Sequence, residues 1–421
     1  MTANGLGARY AKLWTSASLS NLADGVMKVA LPLVAVRYTD SPALIAGLTF
    51  AFTLPWLLFA LTAGALADRL DRRRLMLIAN AARALFLAFL TVATLTGIGS
   101  IWMLYAAALC IGVAETVYDT SAQSILPQLV PRDRLSRANG RLYAAELTAN
   151  EFIGPPLGGF LVATGVALAF GTPVLLWVAA IGMLLLLRGR FRADRPERTT
   201  IRADIAEGLR FLGRSTLLRT LAIMVGVFNF ASSAVYTVFV LYAVGPQSAM
   251  KLTDPAYGLL LTASAIGSVL GTFLAEPAER LLGRARALTL TVIGSLFTVA
   301  TPFFTANPFL IAGGMLIGGI TVSVWNVITV SLRQRVTPTR LLGRLNSAYR
   351  LLAWGTMPLG ALAGGLIGQL FGVRWVFLVM GILVVLQLIP MLWITDRRMD
   401  EAESAVEEEE QQAVGDATSG R

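Results

Sequence analysis

The chain has 421 residues, of which 56% are hydrophobic and only 14% charged, and its mean hydropathy is +0.68. That balance excludes a soluble globule of this length and points to an integral membrane protein. A net charge of +10 would suggest nucleic acid in a soluble chain, but here the arginines gather in alternate loops between apolar runs, a topological signal and not a nucleic-acid surface.

A membrane-crossing helix needs about 20 apolar residues, and twelve such runs follow one another: 14–37, 43–67, 75–97, 101–124, 141–164, 167–188, 217–244, 256–279, 287–305, 309–331, 347–370 and 374–395. Residues 175–187 are apolar almost without interruption, unlike the alternating spans of a β-barrel. The expected fold class is therefore all-α, a polytopic membrane protein with twelve transmembrane helices. The first run follows Arg9 and Lys12 with no small-residue cleavage site behind it, so it is read as a retained span. Asn21, Asp24, Gly25, Lys28 and Pro32 share one of its helical faces. Charges within a span are costly in lipid and face a cavity or one another; Asp24 and Lys28, four residues apart, are expected to pair within the helix.

After the second run comes Gly64-Ala65-Leu66-Ala67-Asp68-Arg69-Leu70-Asp71-Arg72-Arg73-Arg74. A small residue lets two helices approach, an acid caps a facing helix N-terminus and clustered arginines anchor to the inner leaflet; the plain alternative is a basic topogenic loop. In the fourth run Gly112, Glu115, Asp119 and Gln123 share a face, with Asp119 near the boundary and expected to partner the Arg72–Arg74 cluster. The single cysteine, Cys110, has no intramolecular partner and reads as a packing residue. The fifth run aligns Tyr143, Glu146 and Asn150, with Glu151 one residue round from that face and no cation near it in sequence. It continues into Gly154-Pro155-Pro156-Leu157-Gly158-Gly159, where proline breaks the hydrogen-bond ladder and the glycines allow either a bend or close packing.

Residues 189–216 form the longest polar connection and separate six spans (14–188) from six (217–395), leaving 1–13 and 396–421 as termini. Within that linker Ile201, Ile205, Leu209 and Leu212 fall on one face, which predicts an amphipathic surface helix, a solvated linker being the alternative. The tail, with glutamates 407–410 and a Gly/Ser/Ala end, has the composition of a disordered segment. Beyond the linker the polar groups within spans are mostly neutral: Asn229, Ser232, Ser233 and Tyr236, then Asn326, then Arg350 with Trp354.

The two halves echo each other. Pro131, Leu135, Arg137, Asn139 and Gly158 recur as Pro338, Leu342, Arg344, Asn346 and Gly365 at an offset of 207, and Ala67-Asp68-Arg69-Leu70 answers Ala278-Glu279-Arg280-Leu281 at an offset of 211. Arg350 takes the place of Tyr143. Pseudo-symmetric six-helix halves of this kind are the build of secondary transporters. Loop arginines crowd after the second, fourth, sixth, eighth and tenth runs, while the intervening loops carry only Arg37, Lys251 and Arg374; the linker and both termini are expected on the cytoplasmic side.

The 64–74 motif resembles the G-x-x-x-D-R-x-G-R-R loop signature of the major facilitator superfamily, with Asp71 in place of the usual glycine. The 154–159 segment is similar to the G-P-x-x-G-G motif of that superfamily's exporters, and N-L-A-D-G at 21–25 with L-V-P-R-D-R-L-S-R-A-N at 129–139 look most like its drug and siderophore exporter branch. The resemblance, over roughly 10–397, implies a proton-coupled efflux antiporter of the bacterial inner membrane working by alternating access, with no cofactor and the proton gradient as its energy source. Its partners would be an amphiphilic or cationic small molecule, protons and the lipid bilayer; the chain would be a monomer. The arginine-heavy composition, with only three lysines, fits a GC-rich bacterial genome.

The candidate coupling and cavity residues are Asp24, Glu146, Glu151, Glu115, Asn21, Asn150, Asn229, Asn326 and Arg350, with Glu151 favoured as proton carrier. The candidate gate residues are Gly64, Asp68, Arg69, Arg72, Arg73 and Arg74, and the helix-bend residues are Gly154, Pro155, Gly158 and Gly159. Translocation of a lysophospholipid or other lipid-like solute, or a non-transporting membrane sensor, are the rival readings. With no histidine and no P-loop motif in the chain, Ser-His hydrolysis, an H-E-x-x-H zinc site and P-loop ATP hydrolysis are excluded.

Overall fold

The computed structural model describes residues 6–131, 134–189, 191, 201–245, 247–338, 341–404 and 406. The described residues are almost entirely helical. In chain order they form α1 (Ala8–Ala35), α2 (Pro42–Arg69), α3 (Arg72–Leu95), α4 (Ile101–Ile125), α5 (Leu135–Leu147), a π-turn (Thr148–Ile153), α6 (Gly154–Thr164), α7 (Val166–Leu185) and α8 (Ile201–Arg214). The remainder are α9 (Thr216–Ala243), α10 (Asp254–Leu282), α11 (Arg284–Phe304), α12 (Pro308–Arg335), α13 (Leu342–Phe371), α14 (Val373–Leu386) and α15 (Leu388–Met391).

Among the described residues, ten helices are long and apolar enough to cross a membrane. The two other expected spans are the polar ones: α1, which carries Asp24 and Lys28, and the α5–π–α6 segment, which carries Glu146, Asn150 and Glu151 and is interrupted in its middle. The twelve-span expectation is compatible with this architecture, and the fold class is all-α and polytopic.

The chain forms two compact units whose boundary does not follow the linker. The first comprises Met1–Arg198, Tyr236–Thr262 and Ala361–Val373, and the second Thr199–Val235, Ala263–Gly360 and Arg374–Arg421. The expected halves 14–188 and 217–395 therefore differ from the units, because the ends of α9, α10 and α13 pack with the first six spans. Their contacts are close enough to bring backbones together. A Cβ at Gly159 would stand 2.3 Å from the Asp254 carbonyl oxygen, one at Gly258 2.3 Å from that of Pro155, and one at Gly365 2.1 Å from Ala46 Cβ. Gly158 and Gly365, equivalent in the repeat, both serve close helix approach, Gly158 against the Val26 carbonyl.

Inside the first unit α1 packs on α6 and α7, α3 on α4 and α7, and α2 on α4. Its arginine-rich end is closed by a buried cluster that includes Tyr10, Leu13, Met76, Tyr118, Leu184 and Phe191. Asp71, the departure from the family's glycine, holds this end together: its Oδ1 caps α3 by accepting from Arg74 N at 3.0 Å, and its Oδ2 accepts from Phe191 N at 2.9 Å. The Arg72 backbone N–H donates to Phe191 O at 3.1 Å, so the first linker residues are gripped from both sides.

In the second unit α9 is tied to α13 by Asn229 Nδ2 donating to Ala353 O and Ser233 Oγ donating to Met357 O, both at 2.7 Å. Linker helix α8 is docked on the start of α13, with Gly208 against the Arg344 carbonyl and Glu207 paired with Arg344. Of the expected apolar face, Leu212 is buried while Leu209 is more than a third exposed, and the side chains of 201–205 lie outside the described residues. Residues 396–404, expected within a disordered tail, are helical instead. Asp396 Oδ1 accepts from Ala285 N at 2.8 Å, and Arg284 pairs with Asp400 and Glu403, which fixes the segment to the start of α11. The glutamate run 407–410 lies outside the described residues.

Candidate functional site

The polar face of α1 meets three helices, and each of its residues finds a different partner. Asp24 does not pair with Lys28 as the four-residue spacing suggests. Arg83, in the middle of α3, donates from Nη1 to both Asp24 carboxylate oxygens at 3.1 Å and to Ser20 Oγ at 3.2 Å. Both side chains are buried, at 0% and 5% exposure. The guanidinium also lies 5.3 Å from the Tyr118 ring centre and 5.7 Å from that of Trp177. An ion pair so deep survives because each charge compensates the other's lost hydration.

Lys28 reaches the π-turn instead, where its Nζ donates to Glu151 Oε1 at 2.8 Å. A neighbouring bond joins the same elements, Asn150 Nδ2 donating to Asn21 Oδ1 at 2.9 Å. Glu151 thus has a cation after all, from another helix. These pairings depend on one close crossing: a Cβ at Gly25 would stand 2.6 Å from Ala149 O, and one at Gly154 2.6 Å from Gly25 Cα. The glycines of N-L-A-D-G and G-P-P-L-G-G are therefore two sides of one contact, with Pro155 opening α6 directly after the π-turn.

Glu115 stands on α4 within the electrostatic reach of Asp24, Arg83 and Lys28, and its Oε2 is buried with no hydrogen-bond partner. Asp119, one turn on, has Glu115 and Arg83 as its electrostatic neighbours, which places it in the field of this cluster. The arginines it was expected to partner donate to carbonyl oxygens: Arg72 to Ala67 and Ser124, Arg73 to Leu184 and Leu185, closing the C-terminal ends of α2, α4 and α7. Glu146 and Tyr143 are exposed on α5, and Arg69 is exposed at the end of α2. The side chain of Asp68 and the Gly64 position lie outside the described side chains.

Arg83 is the residue that sequence reasoning missed. It interrupts the apolar run 75–97, and the cost of a charge within a span flags it as readily as Asp24. The third span therefore joins the first, fourth and fifth in carrying an ionisable group of this cluster.

In the second unit, Asn229, Asn326 and Arg350 line one cavity of about 270 Å³ between α9, α12 and α13, together with Trp325, Arg333 and Tyr349. Arg333, read from sequence as a loop arginine, belongs to α12 and stacks 4.1 Å from the Tyr349 ring centre. Arg350 stacks 4.4 Å from that of Trp354. Among the described residues no group of histidine, cysteine, aspartate or glutamate is placed to hold a metal ion.

The family described as transmembrane secretion effector matches residues 7–418. The multidrug efflux pump Tap of Mycolicibacterium fortuitum is 28% identical over 377 residues, covering 85% of this chain and 89% of the pump. The enterobactin exporter EntS of Shigella boydii serotype 4 is 25% identical over 333 residues, covering 79% and 78%. Among solved structures, a bacterial homologue of the iron transporter ferroportin in its inward-facing state superposes with a TM-score of 0.70 at 17% identity, over 91% of this chain and 98% of that one. The nucleoside transporter NupG gives a TM-score of 0.71 at 13% identity, over 92% and 98%. These two establish the fold alone. The chain is a membrane transporter and not an enzyme: it belongs to the transmembrane secretion effector family, in the drug and siderophore exporter branch of the major facilitator superfamily.

Proposed function

We propose that the chain expels amphiphilic small molecules, of the drug or siderophore kind, from the bacterial cytoplasm in exchange for protons, by alternating access, with both termini cytoplasmic. The observation that carries the coupling is the charge cluster of the first unit, and within it Glu115. Asp24 is neutralised by Arg83 and Glu151 by Lys28, so neither needs a proton to relieve a buried charge. Glu115 has a buried oxygen without a hydrogen bond, and an acid so placed relieves the cost of its charge by carrying a proton. The role first assigned to Glu151 thus passes to Glu115. The preference for a cationic solute also loses support, since two of the acids behind it already hold cations.

In proteoliposomes, Glu115→Gln should abolish the acceleration of efflux by an imposed pH gradient while Glu151→Gln retains it. The reverse outcome would return the proton to Glu151. A susceptibility panel on a pump-deficient bacterial host fixes the direction: protection against at least one compound class is expected, and increased sensitivity without any protection would show import. A lipid-like solute is the second reading, favoured by an apolar groove of about 830 Å³ between α1 and α5 lined by Leu6, Trp14, Leu19 and Ile153 with Arg141 beside them. Flux of a labelled lysophospholipid exceeding that of any dye would favour it.

A further inference from the structure

We infer that Arg83 is the positioning residue of the proton step, holding Asp24 at one end of its guanidinium group and receiving the Glu115 carboxylate at the other when Glu115 gives up its proton. The inference rests on the reading of Glu115 as the coupling acid for its role in transport, but the site stands on its own geometry. Both Asp24 oxygens bond to a single nitrogen of Arg83, Nη1, at 3.1 Å. Ser20 fixes that end, its Oγ accepting from Nη1 at 3.2 Å and donating to Asn80 Oδ1 at 3.2 Å. The opposite edge, formed by Nε and Nη2, is a fork whose parallel N–H bonds match the two oxygens of a carboxylate. Both of its nitrogens are buried without a hydrogen-bond partner, on a side chain that is 0% exposed.

Buried donors without acceptors are costly, and α4 carries the group that answers them. Glu115 Oε2 is also buried without a hydrogen-bond partner. Arg83 and Glu115 lie in each other's electrostatic field. The Tyr118 ring, whose centre is 5.3 Å from the guanidinium carbon, stands on the neighbouring turn of the same helix as Glu115. Protonated, Glu115 is neutral and makes no claim on the fork; ionised, it brings a second carboxylate to a cation with an unspent edge. Arg83 itself stays charged throughout. The other charges around Glu115 are Asp24 and Lys28 on α1, Asp119 on α4 and Glu146 on α5. Between residues 42 and 67 α2 brings no ionisable side chain, and α7 brings none between 166 and 185. Of the two cations in this set, Lys28 is turned to Glu151 and Arg83 holds the fork.

The test is infrared difference titration of the full-length protein in detergent, which reads a protonated carboxyl group by its C=O band and assigns it to Glu115 by its loss in Glu115→Gln. Arg83→Lys keeps the charge and a donor for Asp24 but has no fork. Without the fork the ionised form of Glu115 is less favoured, so the band should persist to higher pH, by about one pH unit or tenfold in proton affinity. The double variant Asp24→Asn, Arg83→Gln removes one charge of each sign together with the fork and should move the band the same way, which keeps the test open where the lysine variant does not fold. An arginine with a structural role alone would lower stability and leave the midpoint in place. A midpoint unchanged in the folded variants, or a band removed by Asp119→Asn and not by Glu115→Gln, would overturn the assignment. Efflux driven by an imposed pH gradient separates the two claims. A shifted band with that efflux intact in Glu115→Gln removes the coupling reading and keeps the fork, whereas efflux lost in Glu115→Gln with an unmoved midpoint in the Arg83 variants removes the fork alone.

Discussion

Replacing Arg83 by glutamine tests the buried ion pair at the centre of the first unit. The substitution removes both bonds to Asp24 and the bond to Ser20, and strands a carboxylate that is 5% exposed. Breaking a buried pair from one side costs about 3–5 kcal/mol, because the surviving charge has lost its compensation. The rings of Tyr118 and Trp177, at 5.3 and 5.7 Å, are near the outer limit for cation–π attraction and add about 0.5–1 kcal/mol each. Asp24→Asn alone strands the arginine and should cost about 3–5 kcal/mol by the same argument. The double variant holds two neutral amides that can bond each other, so it should be more stable than either single variant. A double-mutant cycle by reversible unfolding in mixed micelles should return a coupling energy of at least about 2 kcal/mol. Coupling below about 0.5 kcal/mol, with each single variant unfolding close to the parent, would refute the reasoning.

Gly25→Ala places a Cβ 2.6 Å from Ala149 O; it should destabilise the fold by about 1–3 kcal/mol through overpacking, read in the same unfolding assay, and an unchanged midpoint would show that the crossing is loose. Asp71→Ala loses the α3 cap and the Phe191 bond and should cost about 1–2 kcal/mol, whereas Asp71→Asn, which keeps an acceptor oxygen, should cost less. Arg37 Nη2 donates to Asp254 Oδ2 at 2.9 Å and to Val162 O at 3.1 Å, and the pair is partly solvent-exposed. Arg37→Gln should therefore cost no more than about 1 kcal/mol while increasing labelling of a cysteine introduced at Lys251 by an impermeant thiol reagent; unchanged labelling would show that this pair does not hold the arginine-poor end closed.

The helices were legible because an apolar run of span length has few alternatives in a chain this hydrophobic. The motif glycines were legible too, since only a missing side chain permits the contacts seen at Gly25, Gly154 and Gly159. Partnerships were not. Spacing along one helix proposed Asp24 with Lys28, but both residues lie on a face covered by other helices, and there Arg83 and Glu151 compete successfully for them. The role of Asp71, noted in sequence only as a departure from glycine, was hidden because its two carboxylate oxygens act on the start of α3 and on Phe191, 120 residues away in sequence. Arg333 was assigned to a loop because a positive charge at the end of an apolar run marks a boundary by default, whereas α12 continues to Arg335.

The π-turn at 148–153 accounts for one more of these differences. Such a turn holds one residue more than the α-turn it replaces, equivalent to a rotation of about 100°. Everything before it and everything after it on the fifth span therefore obeys a helical phase of its own. A face drawn through Tyr143, Glu146 and Asn150 cannot be continued to Gly158 by counting, and Glu151 owes its position opposite Lys28 to the surplus residue. The span behaves as two short screws joined by a slip of one thread: relaxation of that slip to regular α-helix would turn α6 against α1, shift it by about 1.5 Å along its axis, and separate Glu151 from Lys28.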